Sequence, residues 1–179
     1  QNECWENILK ELNKNGIKVC QTNQLNLTEK KWLKTYFVNQ IFHLLTPVAI
    51  DPAHPFPFVP NLGLSIVLKL KSKKSKNIIR VVIPFPKGLK KFVKINNINK
   101  FIATENIIIF FIDQLFPKYT FISYGAFRLI RDSDIEFSDE AEDLVTTFEN
   151  QLRKRRYGRE VLLEMTKSIP EDLKNMIIN

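Results

Sequence analysis

Between Leu45 and Asn61 the chain reads LTPVAIDPAHPFPFVPN, and its five prolines, Pro47, Pro52, Pro55, Pro57 and Pro60, restrict the backbone more than any other stretch. Each fixes its own φ at about −65°, removes one backbone donor and drives the preceding residue toward extended geometry. No helix and no interior strand can run through such a segment. It reads as a stiff, ordered connector, and Phe56, Phe58 and Val59 make it too apolar for a solvated linker. A run of this kind packs against a folded body.

The rest of the chain is large enough to supply that body. At 179 residues it falls in the range of one domain with a sizeable core, and 44% hydrophobic content with 14 Phe excludes a disordered tail. Lys and Arg outnumber Asp and Glu by 27 to 19, a formal charge of +8. That surplus favours polyanions or anionic surfaces as partners, although Lys enrichment in an Asn- and Ile-rich background accounts for it equally well. Cys4 and Cys20 have no metal-ligand spacing and read as free thiols of a reducing compartment. No signal peptide is visible and no apolar run reaches membrane-spanning length. The expectation is a soluble, cytoplasmic protein. The chain opens at Gln1 without a methionine and closes at Asn179 in a helical pattern, so a piece excised from a longer protein is expected.

Apolar spacing predicts a helix over Glu3 to Asn15, with Asn15-Gly16 as its C-cap, then a short strand at Ile17 to Cys20. Thr28 caps a second predicted helix, Glu29 to about His43, which Pro47 stops. Leu62 to Leu70 and Ile78 to Pro84 form a predicted hairpin around the solvated loop Lys71 to Asn77. A short strand follows at Phe92 to Ile95, and then a helix over Thr104 to Phe116, capped by Thr104 and ended by Pro117. Tyr119 to Arg131 reads as a strand or broken strand pair with a bulge or turn at Gly125. Ser138 begins a helix with acidic first-turn residues, and Arg153 to Arg156 lie at its C-terminal end. Val161 to Met165 is a last strand, and Pro170 begins a last helix. The mixture lacks the regular alternation of a doubly wound fold. An α+β single domain, a mixed β-sheet with helices packed on it, is expected.

The search for chemistry is short. With five glycines and neither a G-x-x-x-x-G-K-[ST] nor a G-x-G-x-x-G motif, the chain shows no nucleotide cradle, and no metal site or Cys-His pair is indicated. The arginines are more telling, because a planar guanidinium grips phosphate oxygens in pairs. Arg128, Arg131, Arg153, Arg155 and Arg156 are the anion-binding candidates. The competing reading has Asp132, Asp134, Glu136, Asp139 and neighbouring carboxylates pairing them internally or across a subunit contact. His54 is assigned to holding the connector in shape through backbone carbonyls or Asp51.

The segment LTPVAIDPAHPFP closely resembles the signature of the bacterial polyphosphate kinases of the first type, located in their middle, or head, domain. FRLIRDSDIE at Phe127 to Glu136, DEAEDL at Asp139 to Leu144 and RKRRYG at Arg153 to Gly158 resemble that domain's later motifs, in the same order. The resemblance assigns Thr46, Pro47, Asp51, Pro52, His54, Pro55, Phe56 and Pro57 to a structural signature. It implies a parent enzyme moving the terminal phosphoryl of ATP through a phosphohistidine onto polyphosphate, with magnesium, and the reverse. It places the catalytic histidines in C-terminal domains, so no catalytic residue, cofactor or metal is expected in this piece. Residues 1–179 would then be the head domain, with 1–16 the trailing helix of, or link to, a preceding helical domain. It would act as scaffold, subunit interface in a homo-oligomer and flank of a polyphosphate tunnel. Where the family usually has an arginine in the strand after its RRRFG motif, this chain has Leu162. The alternatives are a basic nucleic-acid-binding module, supported by no recognisable motif, and a purely structural protein-interaction domain.

Overall fold

The computed structural model describes residues 2–51, 56–96, 98–132 and 158–178. The predicted helix beginning at Ser138 and the stretch Arg153 to Arg156 lie outside them. The fold is α+β, as expected, and it divides into two compact units, Gln1–Leu45 with Pro86–Phe121 and Thr46–Phe85 with Ile122–Asn179.

In the first unit, α1 (Asn2–Lys14) ends as the Asn15-Gly16 pair predicts. Gly16 takes φ 73°, which an L side chain resists. Ile17 N–H then reaches back to the Leu12 carbonyl at 2.9 Å and Gly16 N–H to the Asn13 carbonyl at 3.1 Å, satisfying two carbonyls the helix leaves open. The chain passes into β1 (Lys18–Val19), which lies parallel to β6 (Lys100–Ala103); β6 in turn pairs antiparallel with β5 (Phe92–Lys94). This three-stranded sheet, in the order β1-β6-β5, is mixed, and β6 was not among the strands expected from the sequence.

Helix α2 (Leu27–Tyr36) starts two residues earlier than the Thr28 cap predicts. Asn26 is the cap, because Glu29 stands three residues after it and closes a reciprocal box: Glu29 N–H donates to Asn26 Oδ1 at 2.8 Å and Asn26 N–H to Glu29 Oε2 at 2.9 Å. The helix loosens into a π-helical turn (Phe37–Ile41) and a 3-10 turn (Phe42–Leu44) before Pro47. Thr104 to Phe116 is not one helix either. It breaks at Phe111 into α3 (Thr104–Phe110) and α4 (Ile112–Leu115). Ala103 is the N-cap, while the Thr104 hydroxyl donates to the Lys90 carbonyl and its N–H to the Lys91 carbonyl. Leu33, Phe37, Ile41, Ile95, Ile102, Ile107 and Ile108 are fully enclosed in this unit, and Phe37 stacks on Phe111 at 5.1 Å.

The second unit is built on a five-stranded sheet in the order β2-β4-β3-β7-β8, from β2 (Val48–Ile50), β3 (Leu64–Ser72), β4 (Ile78–Pro84), β7 (Tyr119–Arg131) and β8 (Glu160–Met165). Strand β2 lies inside the proline-rich stretch and occupies a sheet edge, where missing donors are tolerated. The hairpin β3-β4 is confirmed with Ile66 opposite Ile83 and Val67 opposite Val82. Its ladder runs to Ser72, one residue past the predicted loop start, since Ser72 N–H still finds the Asn77 carbonyl at 2.9 Å. The Ser72 hydroxyl then accepts from the N–H groups of Lys74 and Ser75 and ties the tip. On one face, Val59, Val67, Val82, Phe127 and Leu173 of α5 (Glu171–Ile178) form a core cluster, and Lys69 donates to Asp172 at 2.7 Å beside it.

At Gly125 no turn or break occurs: β7 is one continuous strand. The glycine admits Ile169, whose Cγ1 would collide with a Cβ at this position. Close approach of a side chain, not a change in backbone direction, explains the residue.

Candidate functional site

The proline-rich connector is fastened at its exit by Arg131. After a register shift between Ile130 and Arg131, that residue stands at the end of β7 opposite Glu160. Its Nε donates to the Val59 carbonyl at 3.1 Å, and its Nη1 donates to the Gly158 carbonyl at 2.9 Å and to Glu160 Oε1 at 2.5 Å. Its guanidinium carbon lies 5.1 Å from the centroid of the Phe58 ring, close enough for a cation–π contact. The side chain is only 10% exposed. Prolines leave the connector's carbonyls without ladder partners, and here an arginine supplies the donors.

The backbone turns around the same point. Arg131 N–H donates to Asn61 Oδ1 at 2.9 Å, and Leu62 N–H to the Leu129 carbonyl at 2.8 Å. Leu62 accepts the left-handed region, φ 59°, to make the turn into Gly63, whose N–H closes on the Pro60 carbonyl. Phe56 packs on Phe127 at 6.2 Å between centroids. The Glu160 carboxyl is held below the usual carboxylate range by its own backbone N–H and by Arg131.

Arg128 is placed differently. Its Nη1 is 3.6 Å from Glu164 Oε2, a loose pair, and its Nε is buried with no hydrogen-bond partner among the described residues. About a third of its side chain is exposed. Of the anion-binding candidates, Arg131 is therefore engaged by the protein's own acceptors, while Arg128 keeps donor capacity. Arg153, Arg155 and Arg156 lie outside the described residues. Of the structural signature, Thr46 and Pro47 lead into β2, Asp51 follows it, and Phe56 and Pro57 open the segment that Arg131 fastens; Pro52, His54 and Pro55 lie outside the described residues.

Sequence reasoning missed Asn61, Phe58 and Glu160 as partners of Arg131. Only Asn61, two residues before a glycine, carried a local turn signal. The other two depend on which strands pair. Among the described residues no group of three or more His, Cys, Asp or Glu side chains could hold a metal ion, and no helix is long and apolar enough to cross a membrane.

Comparison with known proteins bears directly on this arrangement. Residues 28–179 match the family model described as the polyphosphate kinase middle domain. A polyphosphate kinase of Erythrobacter litoralis is 37% identical over 166 residues, which is 92% of this chain and 23% of that protein. One from Parasynechococcus marenigrum is 36% identical over 192 residues, covering 100% of this chain and 27% of that protein. The crystal structure of polyphosphate kinase from Porphyromonas gingivalis superposes with a TM-score of 0.75 at 19% identity, over 97% of this chain and 25% of that one, and shows a shared fold. The chain thus spans about a quarter of the length of these relatives. With the family model matched over residues 28–179, this chain belongs to the polyphosphate kinases, as their middle domain.

Proposed function

We propose that this domain is the non-catalytic framework of a larger cytoplasmic enzyme that transfers phosphoryl groups between ATP and polyphosphate through a phosphohistidine. Other parts of the enzyme would hold the histidine, ATP and magnesium. The observation that carries the reading is the Arg131 clamp. An arginine beside the family signature gives its donors to Val59, Gly158 and Glu160, which is architecture and not ligand binding. Arg128, with one loose ion pair among the described residues, is the residue that would flank a polyphosphate path.

Two further surfaces suit association. Strand β8 is an outer strand of the five-stranded sheet and carries Val161 and Leu162 at 66% and 50% exposure, an apolar edge suited to a second subunit. Helix α1 precedes residue 28, where the middle-domain match begins, and fits the trailing helix of a preceding domain.

The test is direct. The 179-residue chain, given ATP, magnesium and polyphosphate, should transfer no phosphoryl group, yet bind labelled polyphosphate more weakly once Arg128→Glu is introduced. Turnover above background would overturn the framework reading, and binding unchanged in the variant would remove Arg128 from the path.

A further inference from the structure

The charge of this protein is unevenly placed. The first unit holds twelve Lys, no Arg and six acidic residues, whereas the second holds fifteen Lys and Arg against thirteen acidic residues. Most of the excess therefore belongs to the unit that contains neither Arg128 nor Arg131. It concentrates further in Pro86 to Ala103, where Lys87, Lys90, Lys91, Lys94 and Lys100 occur without one Asp or Glu.

The fold separates these lysines by role. Lys100 is taken: its Nζ lies 2.8 Å from both Glu29 oxygens. Lys87, Lys90, Lys91 and Lys94 are exposed, and none joins an ion pair among the described residues. Strand alternation presents Lys94 outward, while Lys87, Lys90 and Lys91 lie in the irregular segment just before β5. Val93 and Ile95 face the core at 3% and 0% exposure, so Phe92 and Lys94 stand on the opposite face. Strand β5 is also an outer strand of its sheet, with β6 as its neighbour. The approach to it is pinned by Thr104, which binds the carbonyls of both Lys90 and Lys91. Lys90 and Lys91 thus sit on fixed backbone, and with Lys87 and Lys94 they form a ridge whose own stretch of chain carries no Asp or Glu.

We infer that this ridge on and beside β5 binds a polyphosphate chain, a second contact apart from Arg128; the inference rests on the reading of the parent as a polyphosphate-handling enzyme. Four exposed ammonium groups on and just before an outer strand, with no ion pair among the described residues, match a linear polymer with a charge on every unit. Point charges without arginine forks suit a ligand that slides, since no single phosphate is gripped in a fixed geometry. Single-stranded nucleic acid fits less well. Its binders offer open aromatic faces to the bases, and the ring beside these lysines, Phe92, is already packed on Trp5 at 5.9 Å.

The experiment compares two charge-matched variants of the 179-residue chain by anisotropy with labelled polyphosphate. One carries Lys90→Gln, Lys91→Gln and Lys94→Gln; the other carries Lys71→Gln, Lys74→Gln and Lys76→Gln at the β3-β4 tip. All six positions are exposed, and circular dichroism checks that both fold. The ridge variant should bind at least about tenfold more weakly, the tip variant less than about threefold, and the slope of log K against log salt should fall by about 2 in the ridge variant, at about 0.7 per lost contact. Equal losses in both variants would reduce the effect to net charge and overturn the inference. A ridge variant that binds normally while Arg128→Glu does not would overturn it and leave the framework reading standing. A parent chain that binds no polyphosphate would overturn both, and competition by oligothymidylate at equal charge concentration would replace polyphosphate with nucleic acid as the occupant.

Discussion

Lys100→Met should expose how α2 is held to the mixed sheet. The Lys100 ammonium bridges both oxygens of Glu29 at 2.8 Å and reaches the Gln24 carbonyl at 3.3 Å, while Glu29 also accepts from Asn26 N–H. Glu29 is only 7% exposed, and the Lys100 side chain 18%. Hydrogen bonds to charged groups contribute about 1.5–3 kcal/mol, and removing one partner of a buried pair costs about 3–5 kcal/mol. Because water still reaches part of Lys100, the expected loss is about 2–3 kcal/mol at neutral pH. Glu29→Gln keeps an oxygen for Asn26 N–H but strands the ammonium, so it should cost a similar amount. The double variant should cost little more than either, a coupling of about 2 kcal/mol.

The pH dependence has a definite sign. Hydrogen bonding from Lys100 and then from Asn26 N–H lowers the Glu29 pKa against the opposing effect of burial. Its contribution is therefore complete above the unfolded carboxyl's pKa of about 4.3 and fades as pH falls through the lower folded value. The gap between the original chain and Lys100→Met should be full at pH 7 and shrink below about pH 4. Urea unfolding followed by tryptophan fluorescence reads this out, since Trp5 and Trp32 both lie in the first unit. A coupling below about 0.5 kcal/mol, as for exposed ion pairs, or a gap unchanged by acid, would refute the argument.

The remaining expectations concern single sites. Gly125→Ala places a Cβ against Ile169 and should cost about 1–3 kcal/mol in urea unfolding, with Gly125→Ala/Ile169→Ala recovering part of it; no loss would mean Ile169 yields freely. Arg131→Met leaves the Val59 and Gly158 carbonyls without their donor and should lower the unfolding midpoint and speed proteolysis near the connector, whereas Arg131→Lys should restore only part of both, because one ammonium cannot span the same acceptors. Full rescue by lysine would show that charge alone matters there. Cys4 is exposed, while Cys20 is 1% exposed, its pKa raised by burial and its Sγ donating to the Phe101 carbonyl. A thiol reagent should label one cysteine quickly and the second only on unfolding; two equal fast phases would contradict that burial.

What the sequence determined by itself was whatever short-range covalent geometry dictates. Five prolines were enough to forbid an interior strand, and the only strand found there among the described residues, β2, is at an edge. Asn15-Gly16 was enough to end α1, and the two β-branched runs around a polar loop were enough for the β3-β4 hairpin. Where two local signals competed, the nearer-looking one misled: Thr28 stands beside Glu29, but Asn26 has the spacing a capping box needs. Only the tertiary structure decided what each charged group does. Glu29 and Lys100 are 71 residues apart, and Arg131 meets Val59 across 72. Such pairings follow from strand order and register, which local sequence does not encode, because one residue of slip turns every side chain to the opposite face. Tertiary placement separates the lysines too: identical in sequence chemistry, Lys100 of β6 meets the Glu29 carboxylate, while Lys94 of β5 and Lys87, Lys90 and Lys91 before it are left exposed.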